Sequence, residues 1–191
     1  MDIGIIVTLG VALVVIVYFV MIYNNLVQIK HNVTKAWANI DVLLKQRHDE
    51  LPKLVETCKQ YMKFEQDTLT KVMEARSRVS SARETQNIGA LGQAEGVLRG
   101  ALGNLFALAE AYPDLKTNQT FLQLQSRISS LENGIADRRE FYNESVNVNN
   151  VRIEQFPDAV VASMFSFKPA QLLEFQAEEK ADVDVQKLFN A

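Results

Sequence analysis

His48, Asp49 and Glu50 stand side by side in VLLKQRHDELPKLVE (42–56), the stretch of the chain whose residue types come nearest to a catalytic or metal-binding set. An imidazole and two carboxylates can shuttle protons or ligate a divalent ion if they converge on one point. Consecutive residues on a helix diverge by about 100°, so these three converge only with help from elsewhere in the chain. The only other histidine is His31, and the Glu-x-x-His pairs of di-iron bundles are absent. The sequence also has no Gly-rich phosphate loop and no G-x-S-x-G elbow. Its single cysteine, Cys58, excludes an intrachain disulfide and sits among apolar residues at helical spacing, as a buried thiol does. No catalytic residue, cofactor, metal or small-molecule substrate is therefore expected. The trio reads instead as part of a bend, with its side chains in water.

The bend is suggested by Pro52, which removes a helix hydrogen bond and disfavours helical geometry at Leu51, yet is welcome in the first turn of a new helix. It marks either a kink in one very long helix or the corner between two antiparallel helices. Length favours the corner, because the split yields four helices able to share one core. At such a corner Arg47 ends one helix and faces Glu56 near the start of the next, a partly exposed ion pair worth ~0–1 kcal/mol.

Helices dominate the rest. Leu26, Ile29, Val33, Ala36, Ile40 and Leu43 step by three and four and draw one apolar stripe, widened by Trp37 and Leu44. A second helix is expected from about Pro52 to Ala82, followed by a Gly- and Asn-containing break at 84–92 and a third helix over about 93–112. Gly100 and Gly103 lie inside that third helix at a cost of about 1 kcal/mol each relative to Ala, which a close helix approach there would explain. Tyr112-Pro113-Asp114 ends it. The fourth helix is capped by Thr117 or Asn118. Its stripe runs Phe121, Leu124, Ile128, Leu131 and Ile135, continues through Arg138 and Tyr142, and fades near Ile153. Phe156, Phe165 and Phe167 are expected to pack back on the helices, and the last fifteen or so residues to be poorly anchored.

Ahead of all this, residues 3–22 read IGIIVTLGVALVVIVYFVMI, an uncharged run whose length at ~1.5 Å per residue matches the ~30 Å hydrocarbon core of a bilayer. Its length and flanks predict a retained anchor rather than a cleaved signal peptide. Lys30 and Lys35 on its C-terminal side predict a cytoplasmic location for the residues beyond the span and an external N-terminus. The lipid bilayer is thus the expected partner of residues 3–22. The net charge of −3 gives no basic footprint for nucleic acid. The expected fold is all-α: a single transmembrane helix (1–23), an antiparallel four-helix bundle (24–155), and a C-terminal extension (156–191) that packs partly on the bundle and ends in an acidic tail.

Three blocks carry a family likeness. YNNLVQIKHNVTKAWANIDVLLKQRHDELPKLVETCKQYMKFE (23–65), AEAYPDLKTNQTFLQLQ (109–125) and ENGIADRREFYNESVNVNNVRIEQFP (132–157), in this order after an N-terminal anchor, resemble the LemA family. The resemblance implies an integral membrane protein with a cytoplasmic four-helix bundle of bromodomain-like topology and no known enzymatic activity. It carries associations with envelope homeostasis, with neighbouring membrane proteases and with magnetosome proteins. Phe64 stands where the family often has His, and Lys53 where Asn is usual after Pro52. Tyr23, Asn24, Trp37, Asp41, Arg47, Pro52, Glu56, Tyr112, Pro113, Arg138, Tyr142 and Asn143 are the candidate structural or interaction residues within these blocks. Tyr23-Asn24 and Tyr142-Asn143, with Asn147 and Asn150, are expected either to tie helix ends together near the membrane or to form a partner surface. The expected function is a non-enzymatic scaffold at the membrane face, acting through protein partners or self-association. The alternatives are an adaptor of a membrane metalloprotease and, behind it, an unrecognised hydrolase or metal enzyme.

Overall fold

A computed structural model describes residues 2–174. Within them the chain is helical without a strand: α1 (Ile3–Tyr61), α2 (Gln66–Glu84), α3 (Ile88–Ala109), the single turn α4 (Pro113–Lys116), α5 (Gln119–Glu154) and α6 (Asp158–Met164). The tail beyond residue 174, where weak anchoring was expected, lies outside the described residues.

α1 carries 59 residues in one helix, about 88 Å at ~1.5 Å per residue. No Gly or Pro interrupts residues 11–51. The corner expected at Pro52 is absent, because α1 passes through the proline and ends a further nine residues on, at Tyr61. The reason is a replacement donor. Pro52 has no N–H for the carbonyl of His48 four residues back, and Arg76 Nε of α2 donates to that oxygen instead, at 2.8 Å. The chain turns at residues 62–65, so the helix expected from Pro52 to Ala82 is in fact the end of α1 followed by α2.

The other boundaries follow local chemistry. α2 closes with Gln86 at φ 51° and the Asn87 amide donating to the Ala82 carbonyl at 3.0 Å, a Schellman arrangement built without glycine. Asn87 Oδ1 then accepts from the Ala90 amide at 3.0 Å and caps α3, which starts five residues earlier than its apolar pattern suggests. Pro113 opens α4 in its first turn. Asn118 Oδ1 accepts from the Phe121 amide at 3.0 Å, the cap expected for α5. Ser166, at φ 55°, ends α6 in the manner of Gln86, with the Phe167 amide donating to the Ala162 carbonyl at 3.0 Å.

The described residues form two compact units. One takes in residues up to Val42 together with Ile135–Leu172, and the other Leu43–Gly134 with the residues from Leu173. In the first, Ile22, Leu26, Val161 and Ala162 make a buried cluster, with Phe19, Tyr23, Ile153 and Phe167 packed around it. The stripe expected on α1 is present, with Leu26, Ala36 and Ile40 buried and Ile29 and Val33 half-buried. In the second unit the buried apolar residues are Leu44, Leu51, Leu54, Val55 and Cys58 of α1, Leu69, Val72 and Val79 of α2, Leu91, Leu98, Leu102 and Leu105 of α3, and Phe121, Ile128 and Leu131 of α5. The close helix approach expected at Gly100 and Gly103 does not occur, since a Cβ at either position meets nothing within 4 Å. The glycine that needs its hydrogen is Gly92, where a Cβ would run into the backbone carbonyl of Glu174. A milder case is Gly134, whose Cβ would sit 3.3 Å from Leu43 Cδ1.

Candidate functional site

The most buried charge of the second unit is Arg47, which lies on the apolar face of α1 between Leu44 and Leu51 and is 1% exposed. Its Nη2 reaches Glu95 Oε1 of α3 at 2.5 Å and its Nη1 reaches Glu132 Oε1 of α5 at 2.5 Å. The guanidinium therefore joins three helices through one buried ion. Burial pulls its proton affinity down, but the two carboxylates outweigh that and hold the pKa above its usual value. Arg47 does not face Glu56, as the corner would have required. Glu56 is exposed and lies 3.7 Å from Lys59 on the same helix.

The His48–Asp49–Glu50 trio is dispersed as helix geometry dictates. Asp49 is exposed, while Glu50 is buried rather than pointing into water, and pairs with Arg127 of α5 at 3.0 Å and Lys53 at 3.1 Å. His48 Nε2 lies 2.6 Å from Arg76 Nη2. Arginine is always a donor, so Nε2 is the accepting nitrogen of a neutral ring. Its pKa is lowered, first by partial burial and then by the Arg76 charge. The lone pair a general base would use is thus already engaged. Among the described residues no three His, Cys, Asp or Glu side chains are placed to hold a metal ion.

Cys58 is buried as expected, and burial pushes its thiol up to about 12. At the end of α1 and the start of α2, a groove of about 640 Å³ is lined by Val55, Met62, Leu69 and Met73, with Lys59 and Lys63 among its edges. Phe64, in the turn that follows α1, is 94% exposed. Tyr112 donates to Glu65 Oε1 at 3.4 Å, and Asn118 Nδ2 donates to the Tyr61 hydroxyl at 3.0 Å. Desolvation, then the Glu65 charge, raises the Tyr112 pKa. Pro113 is exposed.

In the first unit the polar residues hold the chain that follows α6. Tyr142, buried on α5, donates its hydroxyl proton to the Gln171 carbonyl at 2.9 Å. Asn150 clamps Ala170 twice, accepting from its amide at 2.9 Å and donating to its carbonyl at 3.0 Å. Buried Asn149 donates to the Lys168 carbonyl at 3.4 Å. Trp37 meets Tyr142 edge-on at 5.8 Å, and the Tyr23 ring lies 4.7 Å from that of Phe165. Phe167 is half-buried as expected, whereas Phe156 is 81% exposed. Asn24 and Asn147 are exposed, while Asp41 and Asn143 are half-buried. Arg138 is exposed, because α5 buries Ile135, Tyr142, Val146 and Asn149 along its inward face and Arg138 lies beside that line. Of the candidates, Tyr23, Trp37 and Tyr142 gather in this unit's packing, and Arg47 alone enters the ion cluster. Glu95, Glu132, Arg76 and Asn149 were missed, although charged residues inside apolar spacing (Leu44-Arg47-Leu51 and Leu91-Glu95-Leu98) are a legible signal.

The LemA family's sequence model matches residues 36–186, most of the chain. The chain belongs to the LemA family. Protein LemA of Metamycoplasma hominis is 30% identical over 179 residues, covering 92% of this chain and 80% of that one. Magnetosome protein MamQ 2 of Paramagnetospirillum magneticum is 24% identical over 188 residues, 86% of this chain and 68% of that protein. Magnetosome protein MamQ of Magnetospirillum gryphiswaldense is 24% identical over 171 residues, 78% and 63% of the respective chains. The LemA family is not known as an enzyme family. Among the described residues, α1 is the one helix long and apolar enough to cross a membrane, by length and composition. Its apolar part stands bare, with Leu13, Val14 and Ile16 exposed by 62%, 68% and 60%, which supports a membrane localisation for this LemA-family chain.

Proposed function

We propose that this LemA-family chain is a single-pass membrane protein acting as a non-enzymatic scaffold, which presents a helical domain at the cytoplasmic membrane face for protein partners or for self-association. The observation that carries this reading is the bare apolar segment of α1, where Leu13, Val14 and Ile16 stand exposed on a helix that is otherwise amphipathic. The cytoplasmic orientation rests on Lys30 and Lys35 just past the span. In the second unit, the parts of α1 and α5 it contains, with α2 and α3, supply the four helices of the proposed antiparallel bundle. Two features support that arrangement: the short connections at 62–65 and 85–87, and the Arg47 pairs across three helices.

Crosslinking in native membranes, followed by affinity capture and mass spectrometry, tests the scaffold. Reproducible crosslinked partners or homo-oligomers are expected, and a solely monomeric protein with no reproducible partner refutes it. Protease protection in sealed vesicles tests orientation, with cleavage near Phe64 expected only from the cytoplasmic side.

A further inference from the structure

The sequence from Gln155 to Phe167, QFPDAVVASMFSF, contains a single ionisable residue, Asp158. Its carboxylate is buried and paired with Arg152 Nη2 at 2.5 Å, so α6 presents no free charge. One side of α6 packs Val161 and Ala162 onto Ile22 and Leu26 of α1. The other side is bare and greasy. Val160 is 53% exposed and Met164 66%, with Phe156 before the helix at 81% and Phe165 after it at 50%. A bare apolar face beside a folded core marks contact with something apolar.

The occupant is fixed by what α6 touches. Phe165 lies 4.7 Å, centroid to centroid, from Tyr23 and 6.1 Å from Phe19. Phe19 belongs to the uncharged run of residues 3–22, one turn inside its C-terminal end. The bare face of α6 is therefore continuous with the surface already assigned to lipid. A soluble partner covering it would have to enter the bilayer edge. We infer that α6 with its flanking aromatics is a second membrane contact, an interfacial element whose Phe156, Val160, Met164 and Phe165 enter the acyl boundary of the leaflet at the end of the α1 span. This rests on the reading of residues 3–22 as a bilayer span.

Spin labels on single cysteines of the full chain, reconstituted in vesicles of phosphatidylethanolamine and phosphatidylglycerol, test it. The native Cys58 is buried with its thiol pKa near 12, and the parent protein is the blank for labelling. Labels go at Val160→Cys and Met164→Cys, with Val14→Cys as the reference for the span. Lys35→Cys, some 20 Å further along α1 than Ile22 at ~1.5 Å per residue, is the aqueous reference. Power saturation reads the accessibility of each label to oxygen, which concentrates in lipid, against that to a water-soluble nickel chelate. Labels at 160 and 164 are expected to show an oxygen-to-nickel ratio several-fold above that at 35 and to approach that at 14. A lipid-like ratio at 14 with water-like ratios at 160 and 164 overturns this inference and leaves the span intact. Labels at 160 and 164 that are shielded from both reagents mean that a second copy or another protein covers the face, which also overturns it. A water-like ratio at 14 removes the span and the inference together.

Discussion

Arg76 mends the break that Pro52 makes in α1, and a double-mutant cycle measures how far the helix depends on it. A proline inside a helix costs about 3 kcal/mol relative to alanine, partly through the hydrogen bond it cannot donate. Here the deprived carbonyl of His48 accepts from Arg76 Nε at 2.8 Å. Replacing Arg76 by Met keeps much of the aliphatic stem but leaves that carbonyl with neither donor, at about 1–3 kcal/mol for an unsatisfied, partly buried group. Pro52→Ala restores the main-chain donor. After allowing for the greater freedom it gives the unfolded chain, about 0.4–1 kcal/mol, the substitution should stabilise by roughly 1–2 kcal/mol. In the Pro52→Ala background, Arg76→Met should then cost only the contact with His48 Nε2. The two substitutions should therefore couple by about 1–3 kcal/mol. Urea unfolding of the detergent-solubilised full chain by far-ultraviolet circular dichroism gives the four stabilities. Hydrogen exchange at residues 53–56 locates the loss. Additivity within about 0.5 kcal/mol, or unchanged exchange in the Arg76→Met protein, refutes the account.

Other outcomes rest on the same geometry. Arg47→Ala should destabilise by about 3–5 kcal/mol in urea unfolding, because it strands the Glu95 and Glu132 carboxylates. Replacing all three together by Met, Leu and Leu should recover most of that loss. Gly92→Ala should release the backbone at Glu174, seen as faster exchange at residues 173–174. Gly103→Ala, in open space on α3, should instead stabilise by about 0.5–1 kcal/mol. The folded-state pKa of His48 is lowered, so the unfolded chain binds more protons just below the ordinary value of 6.5. The contribution of His48 is then complete above that value and is lost as the pH falls through the lowered folded pKa. His48→Gln should flatten the acid side of a stability–pH profile measured between pH 7 and pH 5.

Period was the most legible property of the sequence. Stripes stepping by three and four placed the inward faces of α1 and of the first half of α5, and an asparagine ahead of such a stripe located the start of α5. These signals are local: a side chain's direction follows from its position along the helix, and a cap acts within one turn. Pro52 misled because its effect depends on a residue 24 positions away in α2, which no local rule contains. Gly100 and Gly103 misled for a related reason. Glycine tolerates close approach without requiring one, and the strict case at Gly92 depends on where Glu174 returns. Arg47 is legible as a candidate, but its partner is not its neighbour in sequence. Its place inside the apolar spacing of α1, like that of Glu95 in α3, already argues for a partner across the core. Arg138 falls on the α5 stripe in sequence because the steps from Ile135 to Tyr142 allow 138 or 139 between them. Arg139 is half-buried and Arg138 exposed.

Tyr142, Asn149 and Asn150 hold the segment after α6 entirely by its main chain: the oxygens of Lys168, Ala170 and Gln171 and the nitrogen of Ala170. Grip of this sort is blind to side chains. The residues at 168, 170 and 171 can drift in identity without loosening the strap, provided none is a proline at 170. The tyrosine and the two amides on α5 have no such freedom, so the attachment is written on the helix that receives the strap.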